Sequence, residues 1–444
     1  MKVVRSQRSE VGVSGIRLMA VLAALVVALS SSSGGVPTIQ GQEGISVSSD
    51  EAVNEFPRGV TFSLEFRAPA ATKEVRLFYE LAPDGTGASA VANCNGTVTV
   101  TCSHTLVSGA GIFVIPGANI TYHWDIEDED GNTLTTEERL YVHEDTRFTF
   151  ETVSEGNVTV YYHSGRLTQA QAVLGAAVET IERMGAIEQV QVTFPVKVFL
   201  YQTAEEMQPA IAPGGQGRGV SILGEVVYSD TAMVSADTNT LDIARHEVAH
   251  IVTREATKGP FGIPDWMNEG TSVFSQSEGL SGHDSALDAA IASGRVLSMK
   301  ELNSSSAGGV SSTVGLYYAQ SGSIVRYLVE TYGEEKYAEL LKTFKEGSTA
   351  DKAFEAVYGF DQLGLENEWR ASVGLGPREA SATATPAATA TARPAATAPA
   401  GTTDSGDDSG DSGMPVVTIA IIVALAALAL ATLGGLAILI MRRS

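Results

Sequence analysis

The chain has 444 residues and a formal net charge of −23 at pH 7. It therefore lacks the basic footprint of nucleic-acid-binding proteins, and we exclude nucleic acid as a partner. Charged residues make up 18% of the sequence, which is typical of a globular rather than a disordered middle region. The length exceeds that of one ordinary domain, so we expect several segments of different character.

Residues 1–35 have the pattern of a secretory signal peptide. Four basic residues precede an apolar stretch, LMAVLAALVVAL at 18–29, and small residues follow it. The stretch is short for a membrane span and fits the hydrophobic region of a signal peptide. An uncleaved membrane anchor is the alternative.

Residues 44–145 are predicted to form an all-β, immunoglobulin-like sandwich. Runs such as VTFSLEFRA and NITYHWDIED alternate or cluster β-branched and aromatic residues, and turn signals separate them. Cys94 and Cys102 lie close together in this region, and in a secreted protein this spacing predicts a disulfide. Two free thiols are the alternative. The fold alone supplies no function, so the simplest role for the sandwich is a spacer or packing module.

Residues 146–375 change character. Strand-like runs such as NVTVYYH and PVKVFLY come first, and the sequence is mostly helical after them. This order predicts an α+β domain.

The C-terminal part predicts a stalk and a membrane helix. Residues 376–413 are rich in Ala, Thr and Pro and then acidic, so they lack the apolar residues of a core and are predicted to be disordered. Residues 416–441 carry no charge and are long enough to span a bilayer. Two arginines follow, and positive charge favours the cytoplasmic side. The pattern predicts a single-pass cell-membrane protein with its globular part on the extracellular side.

The stretch ARHEVAHIVTREATKGPFGIPDWMNEG, residues 244–270, contains the pattern HExxH. On a helix, His246 and His250 project from one face, so both imidazoles can ligate one zinc ion. The apolar residues around them predict a partly buried helix that KGP at 258–260 terminates. Glu247 is the residue that such sites use as general base. The alternative is a solvated helix face.

HEVAH, eighteen further residues and the glutamate of WMNEG together resemble the gluzincin zinc metallopeptidases. The resemblance is greatest to the peptidase MA-like domains and to the aminopeptidase-N-like family. It continues through YYAQSGSIVRYLVETYGEEKYAEL and covers roughly residues 146–375. It implies a thermolysin-like catalytic domain in which Glu269 is the third metal ligand.

The resemblance also implies how such a site works. One zinc ion per chain would be held by His246, His250 and Glu269, which leaves an open position for water. Glu247 would accept the proton of that water and later deliver it to the leaving amine.

Two further positions can be compared with the family. A tyrosine that opens a later helix donates to the oxyanion in the aminopeptidase-N-like family, and Tyr318 matches it. Tyr317 is its rival, and an ordinary core tyrosine is the other alternative. The family often has a glutamate seven residues beyond its ligand glutamate, where this sequence has Gln276. A supporting role for that position is therefore in doubt.

The sequence predicts cleavage within chains rather than removal of N-terminal residues. Aminopeptidases of the family carry G-x-M-E-N before HExxH, and its glutamate pairs with the free amine of the substrate. Residues 214–230, GGQGRGVSILGEVVYSD, contain no such stretch. Glu225 is the one nearby carboxylate that could replace it, and alternation alone does not place it.

We therefore interpret the chain as a membrane-anchored extracellular zinc metallopeptidase, an endopeptidase acting on peptide or protein substrates. One rival is a cell-surface binding or adhesion protein with a degenerate peptidase-like domain. Another is a zinc hydrolase with a substrate other than a peptide. The complete set of ligands and base favours the peptidase, because loss of function usually erodes such residues.

Overall fold

The computed structural model describes residues 44–82, 85–109, 112–211, 224–227, 229–277, 284–304 and 313–378. The predicted signal peptide, nearly all of the predicted stalk and the apolar segment 416–441 lie outside the described residues.

Two antiparallel sheets form the first part of the chain, as the all-β prediction expects. The first sheet has the strand order β1-β2-β6-β5, and the second has the order β4-β3-β7-β8, with β9 also paired to β7. The strands are β1 Ser46–Asn54, β2 Gly59–Arg67, β3 Thr72–Ala82, β4 Thr86–Val91, β5 Asn93–Asn95, β6 Thr99–Val107, β7 Asn119–Asp128, β8 Thr133–Thr135 and β9 Arg139–Val142.

Alternation explains how these strands form a core. Every second residue of β7 is buried, including Ile120, Tyr122 and Trp124, and they pack with apolar residues of the other sheet. A period of two places such residues on one face of a strand. The predicted disulfide between Cys94 and Cys102 is confirmed, and it joins residues that lie opposite each other on β5 and β6.

A mixed five-stranded sheet begins the second part of the chain. Its strands are β10 Glu151–Glu155, β11 Val158–Tyr162, β12 Val196–Tyr201, β13 Gly224–Val227 and β14 Thr231–Ser235. The order is β10-β11-β12-β14-β13. The three inner strands run parallel and the two edge strands are antiparallel to their neighbours. Parallel strands are normally covered on both faces, and β14 is buried along its whole length.

Helices make up most of the remaining chain, as predicted. They are α1 Leu167–Glu188, α2 Ala204–Met207, α3 Thr240–Thr257, α4 Asp265–Ser275, α5 Asp284–Ala292, α6 Met299–Leu302, α7 Val314–Tyr332, α8 Glu334–Lys345, α9 Ala350–Tyr358 and α10 Gln362–Ser372. Helices α1 and α3 cover one face of the mixed sheet. A second apolar cluster joins α3 and α4 to the later helices.

The other face of the mixed sheet packs against the sandwich. Phe199, Tyr201 and Met233 belong to the same hydrophobic cluster as the core residues of the two antiparallel sheets. The predicted boundary at residue 145 therefore runs through a shared core. The sandwich covers apolar surface that the mixed sheet would otherwise expose to water, so it does more than separate two parts of the chain.

Polar contacts reinforce this junction. The buried Asp145 accepts hydrogen bonds from Arg147, at 2.6 Å, and from the hydroxyl of Tyr201, at 3.1 Å. The guanidinium of Arg147 also lies over the rings of Phe56 and Phe148, at 5.1 and 4.9 Å from their centroids. The residues that follow the sandwich are thus tied to both the sandwich and the mixed sheet.

The prediction of a single-pass membrane protein is wrong on the evidence of the described residues. Crossing a bilayer takes about 20 consecutive, mainly apolar residues. Among the described helices none combines that length with that apolar character. The longest of those helices, α1, has 22 residues, and it includes glutamate and arginine residues on its exposed side.

His143 gives the junction a predicted dependence on pH. Its side chain is 0% exposed, and neither ring nitrogen has a hydrogen-bond partner among the described residues. Burial lowers the pKa of His143 to about 4, and the nearby charge of Asp145 opposes this only in part. The unfolded chain binds a proton on this histidine at higher pH than the folded chain does. The stability that depends on a neutral His143 is therefore complete above about pH 6.5 and is lost as the pH falls towards 4.

We expect His143→Phe to flatten the pH dependence of the melting temperature between pH 7 and pH 4.5. The histidine should account for at most about 3 kcal/mol of stability over its full titration. Thermal melts of both proteins across that range measure the effect. Parallel curves for the two proteins would contradict the assignment.

Candidate metal site

Helix α3 lies between two hydrophobic clusters. The residues that face the mixed sheet are Ala244, Val248 and Ile251. The residues that face the other helices are Ala249, Val252 and Ala256. His246 and His250 project from the helix together, and their ring centroids are 4.8 Å apart. The helix ends at Thr257, just before the predicted KGP terminator.

Helix α4 brings Glu269 to the two histidines. Trp266 and Met267 are fully buried and anchor the helix in the core. Gly270 permits a close approach to α7, because a Cβ there would lie 2.5 Å from the carbonyl oxygen of Ser321. The Oε2 atom of Glu269 then lies 3.2 Å from Nε2 of His246 and 3.4 Å from Nε2 of His250.

Donor atoms of His246, His250 and Glu269 all lie within 4.8 Å of one another. Burial by itself would raise the pKa of Glu269, but the two histidines outweigh it and hold the pKa well below its usual range. Burial would likewise lower the pKa of His250, but Glu269 outweighs it and raises the pKa to about 9. Two imidazoles and one carboxylate converging on one point form a donor set that suits Zn²⁺.

Asn268 orients one of the histidines. Its side-chain oxygen lies 3.1 Å from Nδ1 of His250 and accepts a hydrogen bond from it. With Nδ1 donating to Asn268, Nε2 is the nitrogen that can bind a metal once its own proton is released, and Nε2 is the atom that faces Glu269. The sequence identified Asn268 only as part of the WMNEG pattern. Its position beside a predicted ligand was the available signal for this role.

Glu247 lies beside this cluster and is 7% exposed. Burial raises the pKa of Glu247, and the charges of His246 and His250 oppose this effect. The backbone N–H of Val226, on the edge strand β13, donates a hydrogen bond to the carboxylate. The side chain is thus held between α3 and β13, close to both histidines.

Tyr318 and Tyr317 occupy different environments. The ring centroid of Tyr318 lies 6.0 Å from that of His246, in an edge-to-face arrangement. Tyr317 is 4% exposed and packs in the apolar cluster of the helices. The ring of Tyr318 thus lies beside His246, while Tyr317 is buried among the helices but is still close enough to Glu269 for that charge to add to the effect of burial in raising the pKa of Tyr317. The oxyanion role of Tyr318 stays a prediction.

Gln276 and Glu225 lie apart from the donor atoms. The side chain of Gln276 donates to the carbonyl oxygen of Asp242 at 3.3 Å, which ties the end of α4 to the first turn of α3. Glu225 lies opposite Met233 in the antiparallel pair of β13 and β14, so both project from the same face of the sheet. That face is the one packed against the sandwich. Glu225 therefore points away from the three donor residues.

Sequence reasoning missed a buried carboxyl group behind the site. Glu188 closes α1 and accepts a hydrogen bond from Thr253 at 2.9 Å. Burial raises the pKa of Glu188 to about 8, and His250 is close enough for its charge to oppose this. Nothing in the sequence around the end of α1 indicates such a contact, because it depends on how α1 packs against α3.

Comparison with known proteins gives one family. Residues 176–374 match the family described as the Peptidase MA superfamily, which supports a peptidase MA-like domain in the second part of the chain. No curated protein matches the sequence.

The solved structures that are similar to part of the chain include the following two. The Br derivative of BhCBM56 is 12% identical and has a TM-score of 0.15, with 21% of this chain and 99% of that chain covered. The β-1,3-glucan-binding domain of carbohydrate-binding module family 56 is 17% identical and also has a TM-score of 0.15, with 21% of this chain and 95% of that chain covered.

We expect Asn268→Ala to weaken binding of Zn²⁺ about 10–100-fold, because the ring of His250 loses its orienting partner. A competition titration with a coloured chelator measures the affinity. Asn303→Ala is the matched control, since the amide of Asn303 bonds to Met299 and Gln362 instead. Equal affinities for the Asn268 variant and the unmodified protein would contradict the role.

Proposed function

We propose that this protein is a gluzincin zinc metallopeptidase that hydrolyses internal bonds of peptide or protein substrates. The observation that carries the proposal is the convergence of His246, His250 and Glu269, with Glu247 held beside them. The match of residues 176–374 to the Peptidase MA superfamily supports the same class of activity.

His246, His250 and Glu269 would hold one zinc ion per chain. Zinc supplies a Lewis acid that brings the pKa of a bound water close to 7. The negative charge of Glu269 and the two neutral imidazoles would leave a net positive charge at the site. Asn268 keeps the proton of His250 on Nδ1, so that Nε2 remains available as a ligand.

Glu247 would act as general base and then as general acid. Its carboxylate would accept a proton from the attacking water and deliver it to the leaving amine when the peptide bond breaks. Tyr318 would donate a hydrogen bond to the oxygen that becomes negative during the reaction. The position of its ring beside His246 supports this role, and the burial of Tyr317 disfavours the rival.

The endopeptidase assignment rests on the edge strand. An edge strand carries backbone groups that can pair with an extended peptide, and such pairing does not require a chain terminus. Glu225, the nearby carboxylate that could bind a free terminal amine, shares the sandwich-facing side of the sheet with Met233. A substrate ammonium at the site would then be buried without that partner, which is unfavourable.

The rival function is a binding protein with an inactive peptidase-like domain. Such a protein has no need to keep both the donor residues and the adjacent base. The buried Glu247 is costly for stability, since burial of a charged group disfavours folding. Its retention beside a complete donor set favours catalysis.

We expect the purified protein to bind one zinc ion per chain and to hydrolyse peptides. Glu247→Gln should keep the zinc but lose activity by several orders of magnitude, because the amide cannot accept the proton. Tyr318→Phe should lose about 10²–10³-fold in kcat. Elemental analysis and hydrolysis of a peptide library measure these effects.

Two control variants accompany these substitutions. Glu255→Gln makes the same change elsewhere on α3, and Tyr317→Phe alters the neighbouring tyrosine; both should stay active. Protein purified without chelator that contains no zinc would refute the metal assignment. Near-normal turnover of Glu247→Gln would refute the mechanism.

We expect activity on N-acetylated, internally quenched peptides to equal or exceed activity on free aminoacyl reporters. The reason is that the described residues of β13 offer no carboxylate to the free amine on the site-facing side. Parallel assays of the two substrate types measure the preference. Activity confined to the free-amine reporters would make the enzyme an aminopeptidase.

A further inference from the structure

The edge strand β13 lies directly against the residue proposed as general base. In the pairing of β13 with β14, Gly224 lies opposite Val234 and Val226 lies opposite Ala232. Val234 and Ala232 pack in the cluster that holds the sheet-facing side of α3. Because opposite residues project from the same face, Gly224 and Val226 face α3 as well.

Gly224 has no room for a side chain. A Cβ at this position would lie 2.6 Å from Oε1 of Glu247, 2.8 Å from its Cγ and 2.6 Å from Cγ2 of Ile243. Ordinary carbon contacts are about 3.5–4.0 Å, so a methyl group there forces a neighbour to move. Gly224 is not among the glycines with positive φ. The glycine is therefore required for space and not for an unusual backbone conformation.

Two contacts from one strand thus act on the same carboxylate. Because Gly224 has no side chain, the backbone of β13 can approach the side chain of Glu247 closely. The backbone N–H of Val226, on the same strand, donates a hydrogen bond to the carboxylate of Glu247. A free glutamate side chain on a helix populates several rotamers. A strand in contact on one side and a hydrogen bond from the same strand remove most of that freedom.

We propose that Gly224 is a positioning residue for Glu247. By admitting β13 to contact distance, it holds the carboxylate towards His246 and His250, where the proton transfer takes place. The inference rests on the proposed function for its consequence in catalysis, but the contact between Gly224 and Glu247 does not depend on that function. The two parts can therefore be tested separately.

The contact is tested by thermal stability. Gly224→Ala should lower the melting temperature, and adding Glu247→Ala should restore part of the loss, because one of the two obstructing side chains is then removed and only Ile243 remains. Gly87→Ala is the control, since Gly87 also lies in an edge strand and a Cβ there meets nothing closer than 3.7 Å. If Gly87→Ala lowers the melting temperature, adding Glu247→Ala should not raise it again. Independent, additive effects of Gly224→Ala and Glu247→Ala would overturn the proposed contact.

The catalytic consequence is tested by kinetics. We expect Gly224→Ala to bind one zinc ion and keep its KM, while kcat falls about 10²-fold, as misplacement of a catalytic group by about 1 Å can produce. Ile243→Ala in the same chain removes the other obstructing atom, lets the methyl move away from Glu247 and should recover much of kcat. Wild-type kcat for Gly224→Ala would overturn the positioning role, and so would a loss of kcat matched by loss of zinc.

A variant that fails to fold also gives an answer. If Gly224→Ala is unfolded, recovery of a folded chain when Glu247→Ala and Ile243→Ala are both added supports the contact, and continued failure overturns it. The effects of Gly224→Ala and Glu247→Ala on the melting temperature could be non-additive while the unmodified protein shows no peptidase activity. That outcome would refute the proposed function and leave the contact intact.

Discussion

Helix α3 must satisfy three neighbours at once. One of its faces is buried on the mixed sheet, a second is buried among the helices, and a third carries the polar residues of the site. An α-helix advances about 100° per residue, so this division is possible only if polar and apolar residues follow the helical period. The sequence HEVAH meets this condition, because Val248 and Ala249 turn to the two clusters while both histidines stay together. Helices α4 and α8 and strand β13 all contact this helix, and α7 packs on α4.

Burial gives the donor cluster its electrostatic character. Glu269 and His250 stabilise each other's charged forms, and this outweighs the cost of removing each from water. A cation that binds here competes with a proton on the imidazole, so its binding releases that proton. Asn268 assists because it holds the other proton of His250 on the far side of the ring. The donor atoms are thus brought together before any ligand arrives.

Much of this arrangement could be predicted from the sequence. The alternation in β7 predicted a strand with one buried face, and HExxH predicted a helix with two histidines on one side. Glu269 needed the resemblance to a known family, because no local pattern relates it to the HEVAH stretch, from which eighteen residues separate it. The sequence could not decide between the neighbouring residues Tyr317 and Tyr318. Their side chains leave the helix in directions that differ by about 100°, and packing decides which of them meets His246. The face of Glu225 likewise depended on its pairing with Met233.

The shared core of the sandwich and the mixed sheet has a consequence for relatives of this chain. A peptidase domain of the same fold that lacks a sandwich must leave the face of Phe199, Tyr201 and Met233 in contact with water. Large apolar residues there would promote association, so polar residues should replace them in such proteins. We therefore expect these three positions to be apolar in peptidase MA-like chains that carry such a sandwich and polar in those that do not, a difference that can be seen even when only the peptidase-like part is known.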